Sequence, residues 1–338
     1  MLDRYRPDGP YEFVRRPGYT WGPGGGTAAG APRRVVLSVV PEESTAANLL
    51  LTGGLDIAAV AGPDRARLTG RGLFAADVPT VVGLSFFNER PGRPLSDPRV
   101  RRALVGVLRR EGLANVAVGG RGKPAAHLTA RTTVCHAEST VPRLTPRAAR
   151  RLLSDAGWRA GADGRLRKDG RPLRLRVISS PASGSTLPAV AELMAVTWQA
   201  LGVEVGLVSE SLPALVRAMY QDANFDVVMG SSPGPPVPAQ LIPFFSGPPP
   251  PAGLNFAHVD NPRYRLLVAR ALRRTDLAGC ALWARAAQAL LSDADALPVA
   301  DGTRTLYGRG VGFAVADGGQ VVPGSIRGCR DCGSGRLP

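Results

Sequence analysis

Between residues 145 and 230 the chain alternates segments of helical and strand period, and this alternation constrains the fold more than any other feature. "TPRAARRLLSDAGW" (145–158) reads as a helix stopped at Gly157. "GADGRLRKDGRPLRLRVISS" (161–180) reads as a hairpin: Asp163-Gly164 and Asp169-Gly170 are turn signals, and Leu173, Leu175 and Val177 alternate. "AVAELMAVTWQALG" (189–202) is an amphipathic helix through Leu193, Val196, Trp198 and Leu201. It is followed by a strand (203–210), a helix (212–223) and the buried strand "FDVVMG". Upstream, residues 33–62 read strand, helix, turn, strand, with the helix ending on Gly53 and Gly54. That is a β-α-β unit of the kind found in mostly parallel sheets. "TVVGLSFFNE" (80–89) is a further strand. Two helices (261–274 and 278–293) and a strand near "ALPVAD" close the pattern. The expectation is an α/β protein of two lobes. Residues 231–256 are too rich in Pro and Gly for regular structure, and so long a loop inside a compact region is more often functional than idle.

The segment "RPLSDPRVRRALVGVLRREGLANV" (93–116) is a basic helix in a basic chain. Asp97 before Pro98 is an N-cap followed by a proline at the first helical position. Val100, Leu104, Val107 and Leu108 form a core-facing stripe, and Arg99, Arg101, Arg102, Arg109 and Arg110 lie largely elsewhere. The formal charge of +15 invites a nucleic-acid reading, but the distribution of the cations argues against one. Lys123 and Lys168 are the only lysines, the arginines are scattered without long runs, and aromatics make up 6% of residues, too few for stacking rings among basic patches. Nucleic-acid binding is not expected. No uncharged apolar window of about 18 residues offers a membrane span. The N-terminal "MLDRYRPDGPYEF" has no apolar core of a signal peptide.

Enzyme motifs are near misses. "GSSPG" (230–234) has the G-x-S-x-G form, yet the prolines that follow forbid the helix a nucleophile elbow requires, and no acid lies between Ser232 and His258. "AVGGRGKPA" (117–125) lacks the first glycine of a P-loop and has Pro124 where a magnesium-binding hydroxyl belongs. Cys329 and Cys332 form a lone C-x-x-C in a Gly-rich tail. They would need two more ligands for zinc, and His127, His136 and His258 are the only histidines. No catalytic residue, metal site or cofactor is expected.

Several segments in register along the chain resemble one family, the extracytoplasmic solute-binding proteins of peptide-type ABC importers (family 5, the peptide, oligopeptide and nickel type). "EESTAANLLLTGGLDIA" resembles its helix–Gly–Asp segment. "FFNERPGRPLSDPRVRRAL" resembles its run of Asn, then Asp-x-x-Val-Arg-x-Ala-Leu, here Asn88, Asp97, Val100, Arg101, Ala103 and Leu104. "AARRLLSDAGWRAGADGRLRKDGRPLRLRV", "TWQALGVEV", "NFDVVMG" and "NFAHVDNPRYRLLVARAL" continue the match, and "YTWGPGG" and "FFSGPPPPAGLNF" look closest to actinobacterial members.

The resemblance implies a two-lobe, type II periplasmic-binding-protein-like α/β fold with hinged lobes. Residues 1–127 with 296–338 would form the first lobe, and 128–295 the second. Because family members carry a strand and a small domain before this region, it also implies a chain lacking the usual N-terminal part. The implied function is that of an extracytoplasmic, non-enzymatic substrate-binding component, which captures peptides or similar small solutes and delivers them to ABC permease subunits. A truncated non-transport paralogue serving as a partner-binding scaffold is the alternative. Arg101 becomes a structural ion-pair partner. Candidate ligand contacts are Ser231, Ser232, Gln240, Phe245, Asn255 and Phe256 on the long loop, and Phe86, Phe87 and Asn88 at a strand end; the aromatics read equally well as core beneath the loop. If the chain is exported, Cys135 and Cys280 are expected to form a disulfide.

Overall fold

A computed structural model of the 338-residue chain describes residues 1–6, 9–18, 30–232, 234–316 and 319–329. The "YTWGPGG" segment and Cys332 lie outside these residues. The chain divides into two compact units, residues 1–78 with 304–338 (unit 1) and residues 79–303 (unit 2).

Unit 1 opens with β1 (Leu2–Arg4), β2 (Tyr11–Val14) and β3 (Arg34–Leu37), which form a three-stranded antiparallel sheet in that order. Helix α1 (Glu43–Thr52) ends on Gly53, whose φ of 83° is the left-handed C-cap conformation that glycine adopts at little cost. Then come β4 (Ile57–Val60), α2 (Arg65–Leu68) and β5 (Phe74–Phe87), the last running on into unit 2. The strand–helix–strand order expected over 33–62 is present, but β3 and β4 do not share a sheet. β4 pairs antiparallel with Thr305–Gly308, near the far end of the chain, while among the described residues β3 pairs only with β2. A pairing partner so distant in the sequence leaves no local signal, so the segment reads as a crossover unit that it is not. Ala46, Ala47, Leu50, Val60, Leu68 and Tyr307 make the small core beneath α1.

Unit 2 continues with α3 (Pro98–Gly106), α4 (Arg110–Val118), β6 (Lys123–Pro124), α5 (Pro146–Asp155) and a small antiparallel sheet of β7 (Arg159–Ala160), β8 (Leu166–Lys168) and β9 (Arg171–Pro172). Next come β10 (Arg174–Ser179), α6 (Leu187–Gln199), β11 (Glu204–Ser209), α7 (Leu212–Arg217) and β12 (Val227–Gly230). The unit ends with α8 (Ile242–Phe245), α9 (Pro262–Ala271), α10 (Cys280–Ser292) and β13 (Ala296–Gly308), whose last residues belong to unit 1. Unit 1 closes with β14 (Val311–Gly312) paired to β15 (Arg327–Gly328).

The strand order is β11-β10-β12-β5-β13. β10 is parallel to both β11 and β12, and β12 is antiparallel to β5. Strands buried on both faces read as continuous apolar runs, as β12 does. The cap foreseen at Asp97 accepts a hydrogen bond from Arg99 N, and Thr145 caps α5 by accepting from Ala148 N. Trp198 on α6 is fully buried, and its indole N–H donates to the Leu104 carbonyl at 2.9 Å. Residues 79–127, which the sequence groups with the first lobe, fall in unit 2. Val227–Gly230 register against Phe87–Leu84, and α3 packs on α5, so these contacts outweigh chain proximity to residues 1–78. Residues 231–256, expected to be irregular throughout, contain a 3-10 turn (Pro238–Leu241) leading into α8, since Pro238 and Pro243 sit in first-turn positions where a proline is tolerated.

The end of β5, α3, α9 and the start of β13 meet at one buried guanidinium. Arg101, its side chain 4% exposed, contacts Glu89 Oε2 at 3.1 Å and Asp295 Oδ1 at 2.7 Å, and donates to the Leu95 carbonyl at 2.8 Å. Asp295 also accepts from Asn261 Nδ2 at 2.7 Å, and Asn261 Oδ1 accepts from Tyr264 N at the start of α9. Burial, with Asp295 second, pushes the Glu89 carboxyl up from its ordinary 4.5 to about 9, against the pull of Arg101. At neutral pH the cluster therefore holds one proton on its carboxyl pair, and the Arg101 charge is balanced once.

Two outcomes are expected. Arg101→Leu leaves a buried carboxylate uncompensated and lowers unfolding free energy by about 3–5 kcal/mol, as measured by urea denaturation. Glu89 is protonated in the folded chain and ionised in the unfolded chain between pH 4.5 and about 9. Its contribution to stability is therefore complete below pH 4.5 and is lost as pH rises toward 9. Melting curves from about pH 5 to 9 should decline less steeply for Glu89→Gln than for the parent.

Candidate functional site

In open α/β sheets, ligands bind outside the carboxyl ends of the parallel strands. In unit 2 those ends are β10, β11 and β12, and three serines, Ser179, Ser180 and Ser209, stand there. Ser179 lies opposite Ser209 and Met229 in the ladders, so Ser180, Glu210 and Gly230 are the next residues along at the same edge. Ser180 is fully buried, and among the described residues its hydroxyl has no hydrogen-bond partner. A buried, unpaired hydroxyl costs free energy that a ligand or a water recovers. Beside it, Ser231 is exposed and Ser232 half-buried, its hydroxyl accepting a long bond from Gly234 N at 3.4 Å; Gln240 is exposed on the turn before α8. Residues 231–237 form no helix among the described residues, so Ser232 does not sit on a nucleophile elbow.

The other six expected contacts are placed differently. Phe86 stacks on Phe245 (centroids 5.6 Å) and packs on Phe256 (5.0 Å), and Phe87, Phe245 and Phe256 are almost completely buried. Phe225 and Tyr220 close on Phe256 from the other side. These rings are core. Asn88 Nδ2 donates to the Phe225 carbonyl at 2.9 Å, and its Oδ1 accepts from Arg90 N. Asn255 Nδ2 donates to the Val259 carbonyl while its Oδ1 accepts from Val259 N, pinning the turn that carries Phe256. Both amides thus serve the backbone. The structure places Ser231 and Ser232 just beyond the end of β12 and adds Ser180 at the end of β10, which sequence reasoning missed, while Gln240 stands on the turn before α8. The signal was available: "ISS" closes a strand read as such, and a serine pair there is the same pattern that singled out Ser231 and Ser232.

Two loops brace this edge. The 231–241 segment is tied to the loop 125–145 by Thr133 Oγ1 donating to the Pro235 carbonyl at 3.0 Å. That second loop is anchored to α10 by the Cys135–Cys280 disulfide, with Cα atoms 4.7 Å apart, and by Gln288, which accepts from Thr140 N and donates to the Thr140 carbonyl. A separate groove of about 890 Å³ opens near the amino ends of β10 and β11, beside Arg150, Trp158, Arg165, Gln199 and Glu204. Several of its charged groups are already paired, Arg165 with Glu204 at 3.0 Å and Asp163 with Arg167 at 2.8 Å.

Residues 1–250 match the family model of the bacterial extracellular solute-binding proteins, family 5, middle part. No curated protein matches the chain. Among solved structures, the oligopeptide-binding protein AppA of Bacillus subtilis, in complex with a nonapeptide, superimposes with a TM-score of 0.81 at 18% identity over 97% of this chain. A substrate-binding protein of Microbacterium hydrocarbonoxydans, complexed with 4-hydroxybenzoate hydrazide, gives 0.75 at 21% over 97%, and an oligopeptide-binding protein of Thermus thermophilus, complexed with a pentapeptide, 0.77 at 18% over 98%. The chain spans 66% of the Bacillus protein, 66% of the Microbacterium protein and 62% of the Thermus protein, just under two thirds of their length. The fold is the mixed α/β fold of the two-lobe, type II periplasmic binding proteins.

The core assignment of the aromatics has a direct test. Phe256→Ala is expected to lower stability by about 3–5 kcal/mol, a loss visible in urea denaturation without any ligand present. Replacing Cys135 and Cys280 together by Ala removes a cross-link over 145 residues. It is expected to lower unfolding free energy by about 2–5 kcal/mol, in the same assay under non-reducing conditions.

Proposed function

The chain belongs to the bacterial extracellular solute-binding proteins of family 5, and on that premise we propose that it captures a peptide or a similar small solute, without chemistry, for an ABC importer outside the cytoplasm. The three solved relatives bind a nonapeptide, a pentapeptide and an aryl hydrazide. The Cys135–Cys280 disulfide suits an oxidising compartment. Among the described residues, no helix is long and apolar enough to cross a membrane. Permease subunits are the partners this reading requires.

The unpartnered hydroxyl of Ser180 at the carboxyl edge of β10 is the observation that supports a contact surface there, shared with Ser231, Ser232 and Gln240. Hydroxyl and amide groups of this kind bind the main-chain N–H and C=O groups of a peptide regardless of its side chains, which suits capture of varied peptides. Small residues at the strand ends leave room for water to bridge what direct contacts miss.

The expected outcome is binding of a mixed pool of short peptides, read by calorimetry. Ser180→Ala should weaken affinity about 3- to 30-fold, the loss of one or two hydrogen bonds, with melting temperature unchanged or raised. Absence of binding by any peptide up to millimolar concentration would overturn the function. Full affinity in both Ser180→Ala and the double variant Ser231→Ala/Ser232→Ala would overturn the placement alone.

A further inference from the structure

The loop 125–145 of unit 2 carries a second gathering of reactive side chains, away from the strand-end serines. His127 is buried, with its side chain 2% exposed, and its ring packs edge-on against His136 with centroids 4.5 Å apart. One ligating atom from each of His127, His136 and Glu138 lies within 4.8 Å of the other two. Asp301 of β13 adds a carboxylate: its Oδ1 is 2.6 Å from His127 Nε2.

His127 Nδ1 lies 2.5 Å from the Thr129 carbonyl oxygen, so both of its ring nitrogens face oxygens that only accept. The Nε2–Asp301 contact is not directed as a hydrogen bond. Among the described residues, His127 Nε2, Asp301 Oδ1 and both ring nitrogens of His136 are buried with no hydrogen-bond partner of ordinary geometry. Buried polar atoms are almost always paired, and several unpaired ones gathered in one place are costly. A cation at their centre removes that cost.

We propose that His127, His136 and Glu138 form a binding site for a divalent transition cation of the zinc type, with Asp301 Oδ1 completing a fourth position. Two imidazoles and carboxylate oxygens suit zinc and its borderline neighbours, whereas calcium and magnesium prefer oxygen alone. Zinc bonds of about 2.0–2.2 Å place tetrahedral ligand atoms roughly 3.3 Å apart, so the side chains draw in by about an ångström. The Thr129 carbonyl, by accepting from Nδ1–H, leaves the Nε2 lone pair for the metal, as outer partners of metal-bound histidines commonly do. The frame is held in advance. Cys135, next to His136, is bonded to Cys280 on α10; Ser139 N donates to the Ala126 carbonyl at 2.6 Å; and Gln288 clamps Thr140. The local competitor is Arg131, which contacts Glu138 Oε1 at 2.9 Å and Asp301 Oδ2 at 2.5 Å, but its side chain is 42% exposed and free to swing outward. Sequence reading expected no metal here because the ligands come from an irregular loop and a strand far along the chain, with no helical His-x-x-x-His spacing to mark them.

The test uses the full chain, disulfide intact and stripped with chelator, titrated with zinc chloride by calorimetry and with cobalt chloride by visible absorption. One equivalent of zinc should bind in the micromolar range or tighter, cobalt should give tetrahedral ligand-field bands, and zinc should raise the melting temperature. His136→Ala and Glu138→Gln should each weaken zinc binding at least about tenfold. Arg131→Gln should tighten it, an effect no purely structural role of the cluster predicts, and His258→Ala should leave it unchanged. Glu138 is exposed, so Glu138→Gln decides the matter even if His136→Ala fails to fold. Absence of stoichiometric binding, or binding that survives both His136→Ala and Glu138→Gln, overturns the site.

Discussion

The architecture of unit 2 rests on a charge taken out of water. Arg101 sits on α3 with almost no exposure, and a guanidinium cannot shed its proton to relieve the cost. It must therefore be surrounded by acceptors, and those it finds come from remote parts of the chain: Glu89 beyond β5, Asp295 before β13, and the carbonyls of Leu95 and Asp293. Asn261 extends the network to the first turn of α9. A misplaced element would strand a buried charge, so the network specifies one arrangement of four elements even where apolar packing would tolerate others. The proton on the Glu89–Asp295 pair keeps the cluster at charge balance.

The loops that carry the candidate sites are braced against this frame. The strand-end segment 231–241 is tied by Thr133 to the loop 125–145, and that loop is anchored on α10 by Cys135–Cys280 and Gln288. Beneath them, Phe86, Phe225, Phe245 and Phe256 form an apolar floor. The division of labour is physical. Rings exclude water and fix positions, while hydroxyls and imidazoles at the edge retain hydrogen-bonding or ligating capacity. Several of the arginines behind the high formal charge are engaged in ion pairs, Arg99 with Asp97, Arg143 with Glu111 and Arg174 with Glu204 among them.

Much of the local structure was legible because its causes are local. Asp97-Pro98 and Thr145-Pro146 cap helices wherever they stand, Gly53 ends α1, and the period of residues 187–199 buries Trp198. The resemblance to the family was legible for the same reason, since its motifs are caps, turns and helix faces. The error in strand pairing is nonlocal, whereas the missed helical turn is local. β4 found its partner at Thr305–Gly308, not at β3. A Pro-rich stretch held a helical turn at Ile242–Phe245.

What the sequence by itself determined is the set of elements, their caps, and the α/β class of the fold, because short-range sterics and hydrophobic period suffice for these. What only the tertiary structure decided is which polar groups remain available. Six of the nine candidate contacts, Phe86, Phe87, Asn88, Phe245, Asn255 and Phe256, went into core or backbone support, while the buried Ser180 hydroxyl finds no partner among the described residues. An aromatic ring or an amide reads the same in a sequence whether it faces a ligand or the core. The distinction lies in which distant residues fill the space around it, and that is settled only when strands and loops far apart in the chain close on one another.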